Sequence, residues 1–400
     1  MKLQIKSFIA SDGERFCQIY DTDEPGFPLF YPTAFIARSI RLQTTHSTQL
    51  VYLEAIKRVL EWEARQSCDL AVRFLQRDFL KPHEIDDLAQ YLCASRRGRS
   101  EKMVDTGKGN TYINCACAYL TWLADNLIID ADSVEVAHMI ETQQRRLREK
   151  TNRKSGSTTA ATQKMVQRHL STNARDQLLS LWQNPFYKLV RNADKGSRLR
   201  NVVMLRILYE TGMRRGELLS LKLKHLKEST GGSIACLTIE RNHNDSFDTR
   251  VNQPVVKTAG RIVPITPALE QQLFDYITEY RATLPRVGFD DEDLIFVNDR
   301  RGRGQGKALS ISTFDQAVRS LRSLFPALGL LHPHLLRHDW NFRFSSQADK
   351  TNMPRDNQQQ YREELMGWRP RSDMGKKYNQ RHIQKEALNF GLQVASDTQI

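Results

Sequence analysis

Three separated segments of this 400-residue chain carry side chains suited to holding and attacking a phosphate. The first reads Tyr209-Glu210-Thr211-Gly212-Met213-Arg214-Arg215-Gly216-Glu217-Leu218-Leu219-Ser220-Leu221. Gly212 can end one helix before another begins. A helix over residues 214–224 would put Arg214, Glu217, Leu218 and Leu221 on one face, so that a guanidinium sits beside a carboxylate among core-facing residues. The second segment is His332-Pro333-His334-Leu335-Leu336-Arg337-His338; Pro333 suits a first helical position, and His334, Arg337 and His338 then line one face. The third is Leu365-Met366-Gly367-Trp368, followed ten positions after Trp368 by Tyr378 in Gly375-Lys376-Lys377-Tyr378-Asn379.

The chemistry these types can do is phosphoryl transfer. A phosphodiester under attack gathers negative charge on its nonbridging oxygens, and fixed, forked guanidinium donors stabilise that charge without a metal. Tyrosine, with an ordinary pKa of about 10, is a weak nucleophile until nearby cations favour its phenolate and a base removes the proton. His334 and the Lys376-Lys377 pair are suitable neighbours. Each residue also has a plainer reading when taken alone. Arg214 and Glu217 at i, i+3 make a surface pair worth about 0.2–0.5 kcal/mol. His334 and His338 at i, i+4 could bind zinc with His332 or Asp339, although Arg337 would repel a dication. Tyr361 competes with Tyr378 as nucleophile but precedes the Leu365–Trp368 segment.

In these segments the chain resembles the tyrosine recombinase, or phage integrase, family, whose motifs run T-G-x-R-x-x-E, a hairpin Lys, H-x-L-R-H, L-G-[H/W] and Tyr. The resemblance covers roughly residues 165 to 395. It implies that Arg214 and Arg337 bind the scissile phosphate and that Tyr378 is the nucleophile, forming a 3′-phosphotyrosine bond to DNA. It also implies that Lys257, in Val256-Lys257-Thr258-Ala259-Gly260-Arg261, protonates the leaving 5′-oxygen; Lys227 and Lys307 compete for this assignment. His334 would assist proton transfer, Trp368 would contact the phosphate, and Glu217 and His338 would support the site. Two departures stand out: Trp368 to Tyr378 is one residue longer than the usual interval, and Asp339-Trp340 replaces small residues after R-H. The implied enzyme is a site-specific recombinase needing no cofactor, metal or ATP. It would act as a tetramer on two double-stranded sites with an accessory DNA-bending or directionality protein, serving integration, excision or resolution of a mobile element or replicon. Rivals are a type IB topoisomerase and a DNA-binding regulator that kept the fold without catalysis.

The elements that must position these residues follow from pattern. Residues 1–30 read as a small β-hairpin extension, with KLQIKSFIA and RFCQIYD joined at Ser11-Asp12-Gly13. Apolar residues then recur at helical spacing through about 51–62, 82–94, 111–124 and 133–149, giving an all-α domain over 31–150. The resemblance makes this the core-binding, DNA-contacting domain. A basic, Ser/Thr-rich stretch over 151–168 reads as the linker, and Arg145, Arg146, Arg148, Lys150, Arg153 and Lys154 are candidate DNA contacts. From 169 to 400 the pattern is mixed α+β: helices near 171–183 and 197–210, strand-like runs at 234–240, 251–257 and 261–265, then more helices. Ile383, Ala387, Leu388 and Leu392 form a terminal stripe suited to packing on a neighbouring protomer.

Composition agrees with this reading. The 59 Lys plus Arg exceed the 46 Asp plus Glu, giving a net charge of +13, which favours a polyanionic partner. No apolar run approaches the roughly 20 residues of a membrane span, and the first residues do not read as a secretory signal. A cytoplasmic, nucleoid-associated protein is expected. Six cysteines without a C-x-x-C pair read as reduced thiols.

Overall fold

A computed structural model describes residues 2–23, 26–95, 103–151 and 169–396. In the last helix the side chains at 374, 376–381, 384, 385 and 395 lie outside the described part. The chain divides into two compact units, Met1–Gly156 and Ser157–Ile400. The fold class matches the expectation: a helix-rich chain with an N-terminal hairpin and a small sheet later on.

In the first unit, β1 (Leu3–Ile9) pairs antiparallel with β2 (Arg15–Asp21), from Leu3↔Asp21 to Ile9↔Arg15. Gly13 takes φ 84° in the turn, a region open to glycine at little cost. Alternation along β2 buries Arg15, Cys17 and Ile19. The latter two join the helical core, so the hairpin is part of that unit's packing rather than an appendage. The helices are α1 (Phe30–Phe35), α2 (His46–Gln66), α3 (Leu70–Leu75), α4 (Pro82–Cys93), α5 (Thr106–Leu127) and α6 (Val134–Glu149). Helix α4 starts where Pro82 reads as a start, and Glu84 accepts the Lys81 backbone N–H at 2.7 Å. Helix α5 begins earlier than the apolar pattern, because the Asp105 side chain accepts from the Gly107 N–H at 3.1 Å. The expected linker, with Arg153 and Lys154, falls almost wholly outside the described residues.

The second unit contains α7 (Thr172–Gln183), α8 (Lys195–Thr211), α9 (Arg215–Leu219), α10 (Pro267–Asp275), α11 (Ile311–Leu324), α12 (Pro333–Lys350), α13 (Arg355–Met366) and α14 (Met374–Ser396). Helix α8 buries Val202, Val203, Met204, Leu205, Ile207 and Leu208, a run that leaves hardly any face for water and makes it the central helix. Strands β3 (Leu226–Lys227), β4 (Cys236–Ile239) and β5 (Arg261–Pro264) form an antiparallel sheet in that order.

Two expectations fail here. The run 251–257 is not a strand: the Asn242 side chain takes the place of a partner strand, donating to Pro254 O at 3.0 Å and accepting from the Val256 N–H at 2.8 Å. The helix expected over 214–224 is only Arg215–Leu219. Arg214 is its N-cap with extended backbone (φ −81°, ψ 154°), and Leu221 already belongs to the following segment, where its carbonyl accepts from the Ile295 N–H at 2.9 Å.

A candidate active site built around a phosphate

Gly212 ends α8 in the left-handed region, φ 65°. A Cβ there would also lie 2.9 Å from both Trp340 Cγ and Met366 Cε, so both conformation and space require glycine. The resulting sharp turn presents Met213, Arg214 and Arg215 to a cavity of about 360 Å³, whose other walls are Asp315, His332, Pro333, His334 and Arg337. Arg214 thus shares one cavity with His334 and Arg337, which lie 120 and 123 positions further along the chain.

The two arginines are held differently. Arg337 is buried, and its guanidinium donates to Gly212 O at 2.7 Å and Met366 O at 3.3 Å. It also stacks 5.7 Å from the centre of the Trp368 ring. Two carbonyls from separate segments therefore fix the direction of its fork. Arg214, whose side chain is 34% exposed, is fixed by Glu217 instead. Glu217 Oε2 accepts from the Arg214 backbone N–H at 2.9 Å, and Oε1 from Arg214 Nη1 at 3.3 Å.

Glu217 is no surface carboxylate: its side chain is 1% exposed. Arg261 Nη2 donates to it at 2.7 Å and the Thr258 hydroxyl at 2.8 Å. Burial alone would push the Glu217 carboxyl up. The charge and hydrogen bond of Arg261, the Arg214 backbone donor and the field of Arg337 outweigh that and hold it below the usual carboxylate range. Arg261 reaches further, donating through Nε to Leu365 O at 2.7 Å and through Nη1 to Thr258 at 3.1 Å. One buried guanidinium therefore joins the Arg214 turn, the residue after Lys257 and the Leu365–Trp368 segment. Gly367, at φ 63°, makes this approach possible, since a Cβ there would lie 2.8 Å from Arg261 Nη1 and 2.9 Å from Ala259 O.

His334 and His338 lie one turn apart on α12 with ring centres 4.6 Å apart, edge to face. Lys257 is exposed on the connection from β4 to β5 and is not among the residues lining the cavity. His243 on the same connection is pushed down by burial, then by Arg241 and by Lys257. Trp368 is buried against Arg337 rather than lining the cavity. A Cβ at Gly375 would sit 3.9 Å from Trp368 Cζ3, so Trp368 links the buried arginine to the start of α14. Tyr378 is on α14; its side chain, with those of Lys376 and Lys377, lies outside the described part. In the first unit, Arg145, Arg146 and Arg148 are exposed at the end of α6. Arg145 is paired with Glu149 at 3.0 Å and Lys150 with Asp86.

Reading the sequence missed several contributors. Arg261 lies in the strand pattern Arg261-Ile262-Val263-Pro264, which alternates buried and exposed; an arginine on the inward register was the available signal. Asp315 closes the cavity by pairing with Arg215 at 2.6 and 2.8 Å, and nothing in its sequence surroundings marks it. Asp339, noted as a departure, is fully buried between Arg175 at 3.2 Å and Arg343 at 3.0 Å. Trp340 donates to Glu210 O at 2.9 Å. Both residues bind α12 to α7 and α8. Among the described residues no three His, Cys, Asp or Glu side chains gather as metal ligands, and no helix is long and apolar enough to cross a membrane.

The model of the phage integrase family matches residues 180–381. That is just over half of the chain and includes every element of the cavity, and the chain belongs to this family. Tyrosine recombinase XerD of Oceanobacillus iheyensis is 29% identical over 142 residues, which are 36% of this chain and 40% of that protein. Among solved structures, the chain is similar to XerH site-specific recombinase bound to palindromic difH substrate in a post-cleavage complex. The identity is 16% and the TM-score 0.43, over 87% of this chain and 94% of that one. The pre-cleavage complex of XerH with difH is similar at 14% identity and TM-score 0.38, over 85% and 93%.

Proposed function

We propose that this protein is a site-specific DNA recombinase that cuts and rejoins strands through a covalent 3′-phosphotyrosine at Tyr378. The observation that carries this reading is the single cavity lined by Arg214, His334 and Arg337, large enough for a phosphate and its flanking sugars. With the scissile phosphate seated there, the two guanidinium forks meet the nonbridging oxygens, where charge grows as the phosphorus becomes five-coordinate. Tyr378 attacks, its phenol proton leaving as the bond to phosphorus forms and His334 assisting the transfer. Lys257 delivers a proton to the departing 5′-oxygen. Trp368 backs Arg337, while Glu217, Thr258 and Arg261 keep Arg214 aimed. The phosphotyrosine bond conserves the energy of the bond it replaces, so a free 5′-hydroxyl reverses the step on the same or another strand without ATP.

The first unit's helices, the linker and the exposed Arg146 and Arg148 supply sequence-independent phosphate contacts to duplex DNA. Helix α14 leaves Ile383, Leu388, Phe390 and Leu392 exposed, a surface suited to a neighbouring protomer in a tetramer on two sites. The setting is the cytoplasm, on nucleoid DNA, with an accessory DNA-bending or directionality protein, in integration, excision or resolution of a mobile element or replicon.

The test uses a duplex carrying the recombination site, recovered from DNA beside the gene, with a nick that lets the short fragment bearing the freed 5′-hydroxyl escape. Wild type is expected to leave a protein–DNA adduct on a denaturing gel, and Tyr378→Phe none. An adduct with Tyr378→Phe would remove the nucleophile from this account.

A further inference from the structure

At the other end of α8 from the cleavage cavity lies a second, larger opening of about 1670 Å³. The 17 residues of α8 separate the two by about 25 Å at 1.5 Å per residue. Arg191, Lys195 and Arg198 line one wall, from α8 and the segment before it; Arg300, Arg301 and Arg303 line the other, from the loop between Asn298 and Lys307. The carboxylates lining it are Asp194 and Asp299, and Asp194 is already paired with Arg191 at 2.8 Å. The surplus is positive.

The loop is held in shape. Gly306 N donates to Asn298 O and Asn298 N to Lys307 O, both at 2.8 Å, and Gln305 Nε2 donates to Asp299 O at 3.0 Å. At Gly306, φ is 76° and a Cβ would lie 2.2 Å from Pro285 O. Gly302 and Gly304, by contrast, face open space, leaving their backbone approachable from outside. Across the opening, Arg198 is half-buried, its guanidinium 5.9 Å from the centre of the Phe325 ring. The opening exceeds the roughly 300–1,000 Å³ of a small-molecule pocket, and forked donors on two walls suit a chain of phosphates rather than one.

Helix α11 separates this groove from the cleavage cavity. Thr313, Gln316, Ala317 and Ser320 face the groove, whereas Asp315 faces the cavity. At 100° per residue these are different flanks of the helix. Arg319 and Arg322 are both exposed; Arg322 shares the Asp315 flank and Arg319 lies between that flank and the groove, so basic residues run from one opening to the other.

We propose that this groove is a second binding site for the phosphate backbone of duplex DNA, taking up a stretch beyond the cleaved phosphate after it crosses α11. The proposal rests on the recombinase reading above and adds a contact which that reading does not require. A protein held by both sites binds long duplexes more tightly than short ones because the second contact is intramolecular.

The test compares wild type with Arg300→Ser/Arg301→Ser/Arg303→Ser, all on the exposed loop, and with Arg198→Gln. Anisotropy titrations at several NaCl concentrations use random-sequence duplexes, one short and one longer by about one helical turn at each end. For the long duplex the slope of log affinity against log salt is expected to fall by roughly two to three in the triple variant, each lost phosphate contact removing about 0.9. Arg198→Gln should lower it by about one. Slopes on the short duplex and adduct formation on the short nicked site should stay at wild-type values. An unchanged long-duplex slope overturns the proposal. So does equal loss of adduct on the short site, which would make the loop part of the cleavage interface. Displacement of the loop's binding by polyglutamate with no change in DNA slope would reassign the groove to an acidic protein surface. Failure of the recombinase reading looks different: wild type would give no adduct while the slope difference persisted.

Discussion

Two sets of arginines in the second unit are held under opposite conditions. Around the smaller cavity the guanidinium groups are immobilised: Arg337 by Gly212 O and Met366 O, and Arg261, behind it, by Glu217, Thr258 and Leu365 O. Around the second groove Arg300, Arg301 and Arg303 stand in solvent on a glycine-rich loop. The first arrangement suits stabilising a charge that exists only in the transition state, because donors that need no reorganisation are worth most there. The second suits retention of a polyanion, where affinity comes from counterion release and tolerates motion. Burial, more than residue type, separates chemistry from grip.

The largest effect belongs to Arg261, the buried charge partner of Glu217. Arg261→Met takes from the buried Glu217 its closest charge partner, and the loss is expected to be about 3 kcal/mol of stability, read as a lower denaturant midpoint. Pairing it with Glu217→Met should recover most of that stability but not cleavage, since Arg214 then lacks its anchor. Equal loss in the single and double variants would show that the pair does not act as a unit.

Arg337→Ala should slow adduct formation by roughly 10²–10³ with little change in affinity for DNA. Proportional loss of both would place Arg337 in binding rather than in chemistry.

Acid should reveal the Glu217 network next. The folded carboxyl sits below its ordinary value, so its contribution is fully present above the unfolded pKa of about 4.3 and is lost as pH falls through the folded value. Denaturation midpoints followed down to acid pH should fall less steeply for Glu217→Gln than for wild type.

The smallest effect lies on α6. Arg146→Ala and Arg148→Ala should each reduce the salt slope of DNA binding by about one and leave adduct formation on saturating DNA unchanged.

The same distinction explains what could be read from the chain. Local grammar placed the cavity's walls: Gly212 as a helix stop, Pro333 as a helix start, and the i, i+3 and i, i+4 spacing of His334, Arg337 and His338. What could not be read was long-range satisfaction of polar groups. Residues 251–257 have strand composition, yet Asn242 supplies their hydrogen bonds from the side. Residues 214–224 have helical spacing, yet Arg214 is drawn into an extended N-cap by Glu217. Arg261 and Asp339 act through partners 44 and 164 positions away, distances over which periodicity carries no signal.

The central claim is that Arg214 and Arg337 neutralise one phosphate. Replacing a nonbridging oxygen of the scissile phosphate by methyl removes the negative charge they serve, so adduct formation can be compared on natural and methylphosphonate duplexes for wild type, Arg214→Ala and Arg337→Ala. The account predicts that each variant's deficit, severe on the natural phosphate, shrinks by at least tenfold on the neutral one. Equal deficits on both duplexes would contradict it.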